Sequence, residues 1–150
     1  MKRPAALLLL LATGGCMEPP KTGQQGQLVA DLVHLHTWDP QRQAEGTYPY
    51  GEIMGYGPEI LPVLAMNIPN ETPTAIYHDK TDRNPKLGDV AFLMLLRLTS
   101  LKWENFASEG VFISTAIPNP IFCIMWKDEQ VSRQKVRARF LKILDPDAGK

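Results

Sequence analysis

"DVAFLMLLRLTSL", residues 89–101, is the stretch that decides how this chain folds. Seven apolar residues run from Val90 to Leu96 before Arg97 interrupts them. A segment that is apolar almost all round belongs inside a core rather than on its surface. Asp89 is the right residue type to cap its start. The remaining segments must therefore supply the faces that cover it.

Three of them have helical spacing. In "EQVSRQKVRARFLKIL" (129–144), Val136, Phe140, Ile143 and Leu144 share one face, and Lys135, Arg139 and Lys142 share another. In "QLVADLVHLHTW" (27–38), Leu28, Leu32 and Leu35 recur at i, i+4 and i+7, with Val29 and Val33 beside them. "GPEILPVLAMN" (57–67) places Pro58 where a helix can start. Pro62 lacks a backbone donor, so it fits only near that start. The expectation is a helix of about three turns at most, with Ile60, Leu61 and Leu64 inward.

Between these lie punctuated stretches. "DPQRQAEGTYPYG" (39–51) reads as a loop, broken by Pro40, Gly46 and Pro49. "TAIYH" (74–78) and "NPKL" (84–87) flank a polar turn and suggest a small hairpin. "VFISTAIPNPIFCIMW" (111–126) is too apolar for its period to separate strand from buried helix, and Pro118 and Pro120 force a break in it. The expected fold class is mostly α: a small helical domain of three to four helices with a possible short β-hairpin.

Composition agrees with one packed domain. The chain has 150 residues, 44% hydrophobic and 21% charged, enough apolar content for a core. The 16 basic and 16 acidic side chains balance, so nothing points to a nucleic-acid partner, which would require a basic excess or patch.

The start of the chain carries an address. Lys2 and Arg3 precede the apolar run Ala5–Ala12, and the small residues Thr13, Gly14 and Gly15 lead to Cys16. This is the pattern of a secretory signal. The run is short of the ~20 apolar residues that span a bilayer. Gly14-Gly15-Cys16 resembles the processing site of a bacterial lipoprotein precursor. That resemblance covers residues 1–16 only. It implies removal of residues 1–15, lipidation of Cys16 and a place in the cell envelope, with the membrane as one partner and an envelope protein as another. Met17 stands where an Asp would imply retention at the inner membrane. Thr13 replaces the family's usual aliphatic residue, so cleavage by an ordinary signal peptidase at Ala12-Thr13-Gly14 stays open, and with it a Cys16–Cys123 bridge. Otherwise Cys123, inside "PIFCIMW", is a buried thiol. Removing the leader takes away Lys2 and Arg3 and no acid, leaving 14 basic and 16 acidic side chains, a net charge of −2. "MEPPKTGQQGQ" (17–27) reads as a tether. The expected organisation is leader 1–15, lipidated Cys16 and tether 16–26, a single domain 27–145 and a tail 146–150.

Residues Gly57, Leu61, Pro62 and Leu64 of "GPEILPVLA" are similar to the second helix of a HEAT-like unit. The likeness spans one helix pair, residues 28–67, and implies nothing about activity. No period of ~40 residues repeats.

Candidate chemistry is sparse. His34 and His36 of "HLHTWD" could share a metal on a strand, with His78 as the third histidine, giving an alternative reading as a small metal-dependent hydrolase. On a helix the two would point about 200° apart, leaving His34 beside Asp31 at i+3. His78-Asp79 and Cys123 are isolated nucleophile or base candidates, and no G-x-S-x-G elbow is present. "NET" (70–72) matches a glycosylation acceptor, but Pro73 and the bacterial-looking leader make the match incidental. Tyr48, Tyr50 and Tyr56 in "TYPYGEIMGYG" are candidate partner-binding side chains, set against simple packing on the domain's rim. Lys135, Arg139 and Lys142 could rest on anionic headgroups or simply be solvated. No cofactor is expected, and the leaning is towards a binding or structural module rather than an enzyme.

Overall fold

The computed structural model describes residues 22–38, 48–77, 82–115 and 118–147. The leader, Cys16 and His78 lie outside them. Among the described residues there are five α-helices and one two-stranded antiparallel sheet, so the chain is a small mostly α domain with a short β-hairpin. The helices are α1 (Thr22–Asp31), α2 (Tyr50–Tyr56), α3 (Leu61–Asn67), α4 (Leu87–Thr99) and α5 (Glu129–Leu144), and the strands are β1 (Val111–Ile113) and β2 (Ile124–Trp126).

Helix α4 is the centre. Every residue from Leu87 to Leu95 is buried, as a helix apolar all round must be. Asp89 caps it from inside its first turn rather than from the N-cap position. Its Oδ2 accepts from the Lys86 N–H at 2.9 Å, so the helix starts two residues earlier than Asp89. At the far end Ser100 turns into the left-handed region with φ 57°, and Thr99 Oγ1 donates to the Leu95 carbonyl at 2.6 Å.

Helix α3 lies against α4 and is flanked by α1 and α5. A 3₁₀ turn, Gly57–Ile60, leads into it, which puts Pro62 in its first turn, where its missing donor does no harm. Ile60, Leu61 and Leu64 all face the core as expected. Gly88 permits the close approach: a Cβ there would stand 2.1 Å from the Ile68 carbonyl oxygen. One turn further along α4, four aromatic rings close the core. Phe106 stacks on Phe140 at 4.3 Å between centroids. Phe92 meets Phe106, Phe140 and Trp126 edge-on at 5.8, 6.2 and 5.5 Å.

Four local expectations are corrected. Helix α1 begins at Thr22, inside the stretch read as tether, and ends at Asp31; Leu32–His34 is a 3₁₀ turn, and Leu35 is extended. Its first turn holds buried Gln25 but no apolar residue, so hydrophobic spacing could not reveal it. Helix α2 lies in the stretch read as loop: Tyr50 and Ile53, at i and i+3, are buried, and Gly57 at φ 57° ends it. The hairpin is not at 74–87. There Pro73 and Lys86 form a single bridge. Pro73 and Pro85 cannot donate, so a longer ladder cannot form. Asn84 supplies bonds from its side chain instead, to the Thr74 and Ile76 carbonyls at 3.0 Å each. The regular pair is β1–β2, with Val111 opposite Trp126, Phe112 opposite Met125 and Ile113 opposite Ile124. Its alternation buries Val111 and Ile124 and exposes Phe112 and Met125. On α5, Ile143 points outward, while Ser132 and Arg133 join Val136 and Phe140 inside.

Candidate functional site

The sequence singled out three tyrosines, and the fold separates them. Tyr48 is exposed, and its hydroxyl bonds the Asp31 carboxylate. That bond lowers the Asp31 pKa, with help from Gln27 and His34, and raises that of Tyr48. Tyr50 is 3% exposed and set edge-on to Trp38, with ring centroids 5.5 Å apart. Tyr56 is half-buried against the core and lines a shallow hollow of about 220 Å³ with Glu52 and Gly55. That volume is below the ~300 Å³ at which small-molecule sites begin. The three rings therefore do not make one exposed recognition face, because Tyr50–Tyr56 is a helix and not a loop.

Two of the three histidines lie among the described residues. His34 closes the 3₁₀ turn, His36 follows in extended chain, both are exposed, and buried Leu35 lies between them. His78 falls outside the described residues. Among the described residues no group of three or more His, Cys, Asp or Glu side chains converges. The basic stripe on α5 is incomplete as a membrane-facing surface. Arg139 is spent on Glu109, with NH1 2.7 and 2.8 Å from its two oxygens. Burial opposes ionisation of Glu109, and the bonds from Arg139 and Ser108 outweigh it, so its pKa is lowered. Lys135 and Lys142 remain exposed. Among the described residues no helix is long and apolar enough to cross a membrane.

Sequence reasoning missed a heavily charged cluster among the described residues. Arg133 is 0% exposed, and its NH2 lies 2.7 Å from Oδ1 of Asp89, itself 1% exposed. Arg133 NH1 donates to the Ile68 carbonyl at 3.0 Å, and its guanidinium stands 4.5 Å over the Trp126 ring. Its Nε and NH2 both donate to Glu129 Oε1, at 3.2 and 2.9 Å. Asp89 Oδ1 also accepts from Trp126 Nε1 at 2.8 Å. Lys86 extends the cluster outward to Glu129 at 2.8 Å and Glu71 at 3.3 Å. Burial works against the charge on Glu129, but Lys86 and Arg133 overcome it and hold the carboxyl below its usual range. For Lys86 burial is likewise outweighed, by Glu129 and Glu71, and its pKa is raised.

Buried, perturbed charges are where catalytic groups are sought, but structural ion pairs look the same. Here the geometry decides. Asp89 accepts three bonds from inside the domain, and four of the five donors of Arg133 are committed. No acceptor or proton at that centre is offered outward, so the cluster locks α3, α4, β2 and α5 together. One signal of it was readable: Arg133 stands at i−3 from Val136 and i−7 from Phe140, a cation on the apolar stripe of α5.

A larger hollow among the described residues lies elsewhere. An open groove of about 660 Å³ runs between α4, the 3₁₀ segment Trp103–Glu109 and the end of β1. Leu93, Leu96, Trp103, Ile113, Pro118 and Pro120 give it apolar walls, with Lys102 and Glu104 on its lining. Its size falls within the range of small-molecule sites. No family model, no curated protein and no solved structure matches the chain.

Proposed function

We propose that this chain is an exported cell-envelope protein, tied to a membrane through lipid on Cys16, whose folded domain acts by binding. One observation carries the address: basic Lys2-Arg3, the apolar run Ala5–Ala12, then Gly14-Gly15-Cys16. A cysteine carrying two or more acyl chains stays in the bilayer, because each buried methylene contributes about 0.8 kcal/mol. The binding half is supported by the groove, which is open and mostly apolar.

The test is the mass of the mature N-terminal peptide from a bacterium that makes the chain. A peptide that begins at Cys16 and carries acyl mass is the expected result. A bare peptide beginning at Gly15 or nearby removes the anchor and leaves export. An intact Met1 removes both.

A further inference from the structure

The groove has a patterned lip. Lys102, Trp103 and Glu104 line it in succession, a base and an acid on either side of an indole. Trp103 is half-buried against the core, while Lys102 and Glu104 are exposed. Among the described residues neither charge has an ion partner, and the Trp103 indole makes no hydrogen bond. Leu93, Leu96, Ile113 and Pro120 supply apolar surface beside them. An open apolar groove with an aromatic ring suits an extended proline-containing segment. Prolines pack flat on the ring. The polyproline II backbone makes no internal hydrogen bonds, so its carbonyls are free to accept from an indole N–H.

The chain carries such a segment. Pro19-Pro20 is its only pair of adjacent prolines, and Glu18 and Lys21 flank the pair. Acid, two prolines and base are the charge complement of Lys102, Trp103 and Glu104. The spans match as well. In polyproline II, Glu18 and Lys21 stand about 9 Å apart. The α-carbons of Lys102 and Glu104 are at most about 7 Å apart, and two long side chains make up the rest. Residues 18–21 lie outside the described residues and end beside Thr22, the first residue of α1. Helix α1 packs chiefly on α2 and α3, not on the walls of the groove. Lys21 is one residue from that helix, so the groove that the segment meets is a neighbour's.

We infer that the groove of one copy binds residues 18–21 of a second copy, with Pro19-Pro20 on the Trp103 ring, Glu18 at Lys102 and Lys21 at Glu104. A donor segment and an acceptor groove on different parts of one chain make a head-to-tail contact. This rests on the reading that the domain acts by binding, and it names the partner.

The experiment titrates a peptide of residues 17–22, MEPPKT with blocked ends, into the whole chain carrying Cys16→Ser, Pro19→Ala and Pro20→Ala, whose own segment then does not compete. Calorimetry reads the binding. MEPPKT should bind. MEAAKT, and MKPPET with its charges exchanged, should each bind about tenfold more weakly. Trp103→Ala should weaken MEPPKT at least about tenfold. Lys102→Glu with Glu104→Lys should reverse the preference, so that MKPPET binds the better. Both positions are exposed, so the melting midpoint should stay where it was. In the chain carrying Cys16→Ser alone, sedimentation velocity should show association that grows with concentration and that added MEPPKT disperses. No binding of MEPPKT, equal binding of the three peptides, or a preference that does not reverse with the charges overturns the proposal. A chain that stays monomeric while its own prolines keep the peptide out overturns it too, because the segment then lies in its own groove. The N-terminal mass tests the anchor separately, and a groove that refuses MEPPKT strikes the second copy alone, not binding of another partner.

Discussion

Replacing Asp89 by Asn keeps the shape of the side chain and removes its charge, and the effect should be large. The Asp89 carboxylate is 1% exposed and faces an Arg133 that is 0% exposed. Removing one partner of a buried pair leaves the other as an uncompensated charge, which costs about 3–5 kcal/mol. Glu129 still touches Arg133, so the lower half of that range is the expectation, about 3 kcal/mol. The amide brings a second fault. Whichever way it turns, its NH₂ must face either the Lys86 N–H or the Trp126 and Arg133 donors that the carboxylate accepted. Against a total stability of roughly 5–15 kcal/mol, that loss is severe. Urea unfolding followed by far-UV circular dichroism would measure it. A midpoint shift at constant slope reports stability alone. Arg133→Met should cost a similar amount. The double variant should cost less than the two single losses together, by about 1–3 kcal/mol, since both charges then leave at once. A single-variant loss under about 1 kcal/mol, or strict additivity, would refute the claim that this pair fastens α4 to α5.

Three further outcomes are expected. Glu129 has a lowered folded pKa, so the stability it lends is fully present above its unfolded pKa, about 4.3, and fades as pH falls through the lower folded value. Glu129→Gln should therefore flatten the loss of stability between about pH 5 and pH 3, and an unchanged acid limb would contradict the assigned bonds. Gly88→Ala should cost about 1–3 kcal/mol or more, because the added carbon would lie 2.1 Å from the Ile68 carbonyl oxygen. Gly55→Ala, where no heavy atom lies within 4 Å of the added carbon, should stabilise by up to about 1 kcal/mol, and the pair can be compared by thermal melting. Dialysis against a chelator should leave the melting midpoint unchanged. A stoichiometric zinc that disappears with His34→Ala and His36→Ala would replace the binding reading with a metal-dependent hydrolase.

What the sequence could and could not reveal follows from the physics of each segment. Helix α4 was legible because nothing but burial explains Val90–Leu96. Helix α5 was legible from Val136 and Phe140, and α3 from the constraint that Pro62 places on where a helix starts. The start of α1 was hidden because Gly23, Gln24, Gln25 and Gly26 carry no hydrophobic period, and tertiary packing of Gln25 overrides their weak propensity. Helix α2 was masked by its glycines, although Tyr50 and Ile53 had helical spacing. Residues 111–126 stayed open because a continuous apolar run fits either element until its partner is known. The place of Arg133 on the apolar stripe of α5 marked a buried cation, but its partner Asp89, 44 residues away, could not be read from it. The groove assembles from α4, the 3₁₀ segment Trp103–Glu109, the end of β1 and the turn at Pro118–Pro120, and no local pattern brings such distant pieces together.

That same separation has a consequence for how the chain is made. Asp89 leaves the ribosome 44 residues before Arg133, a gap of roughly 2–9 s at ordinary elongation rates. During it α4 has an unpaired carboxylate, and Phe92 and Phe106 lack the Phe140 ring that later covers them. The core cannot close on a nascent chain in that interval. A fold completed only when α5 arrives keeps the aromatic core open until then.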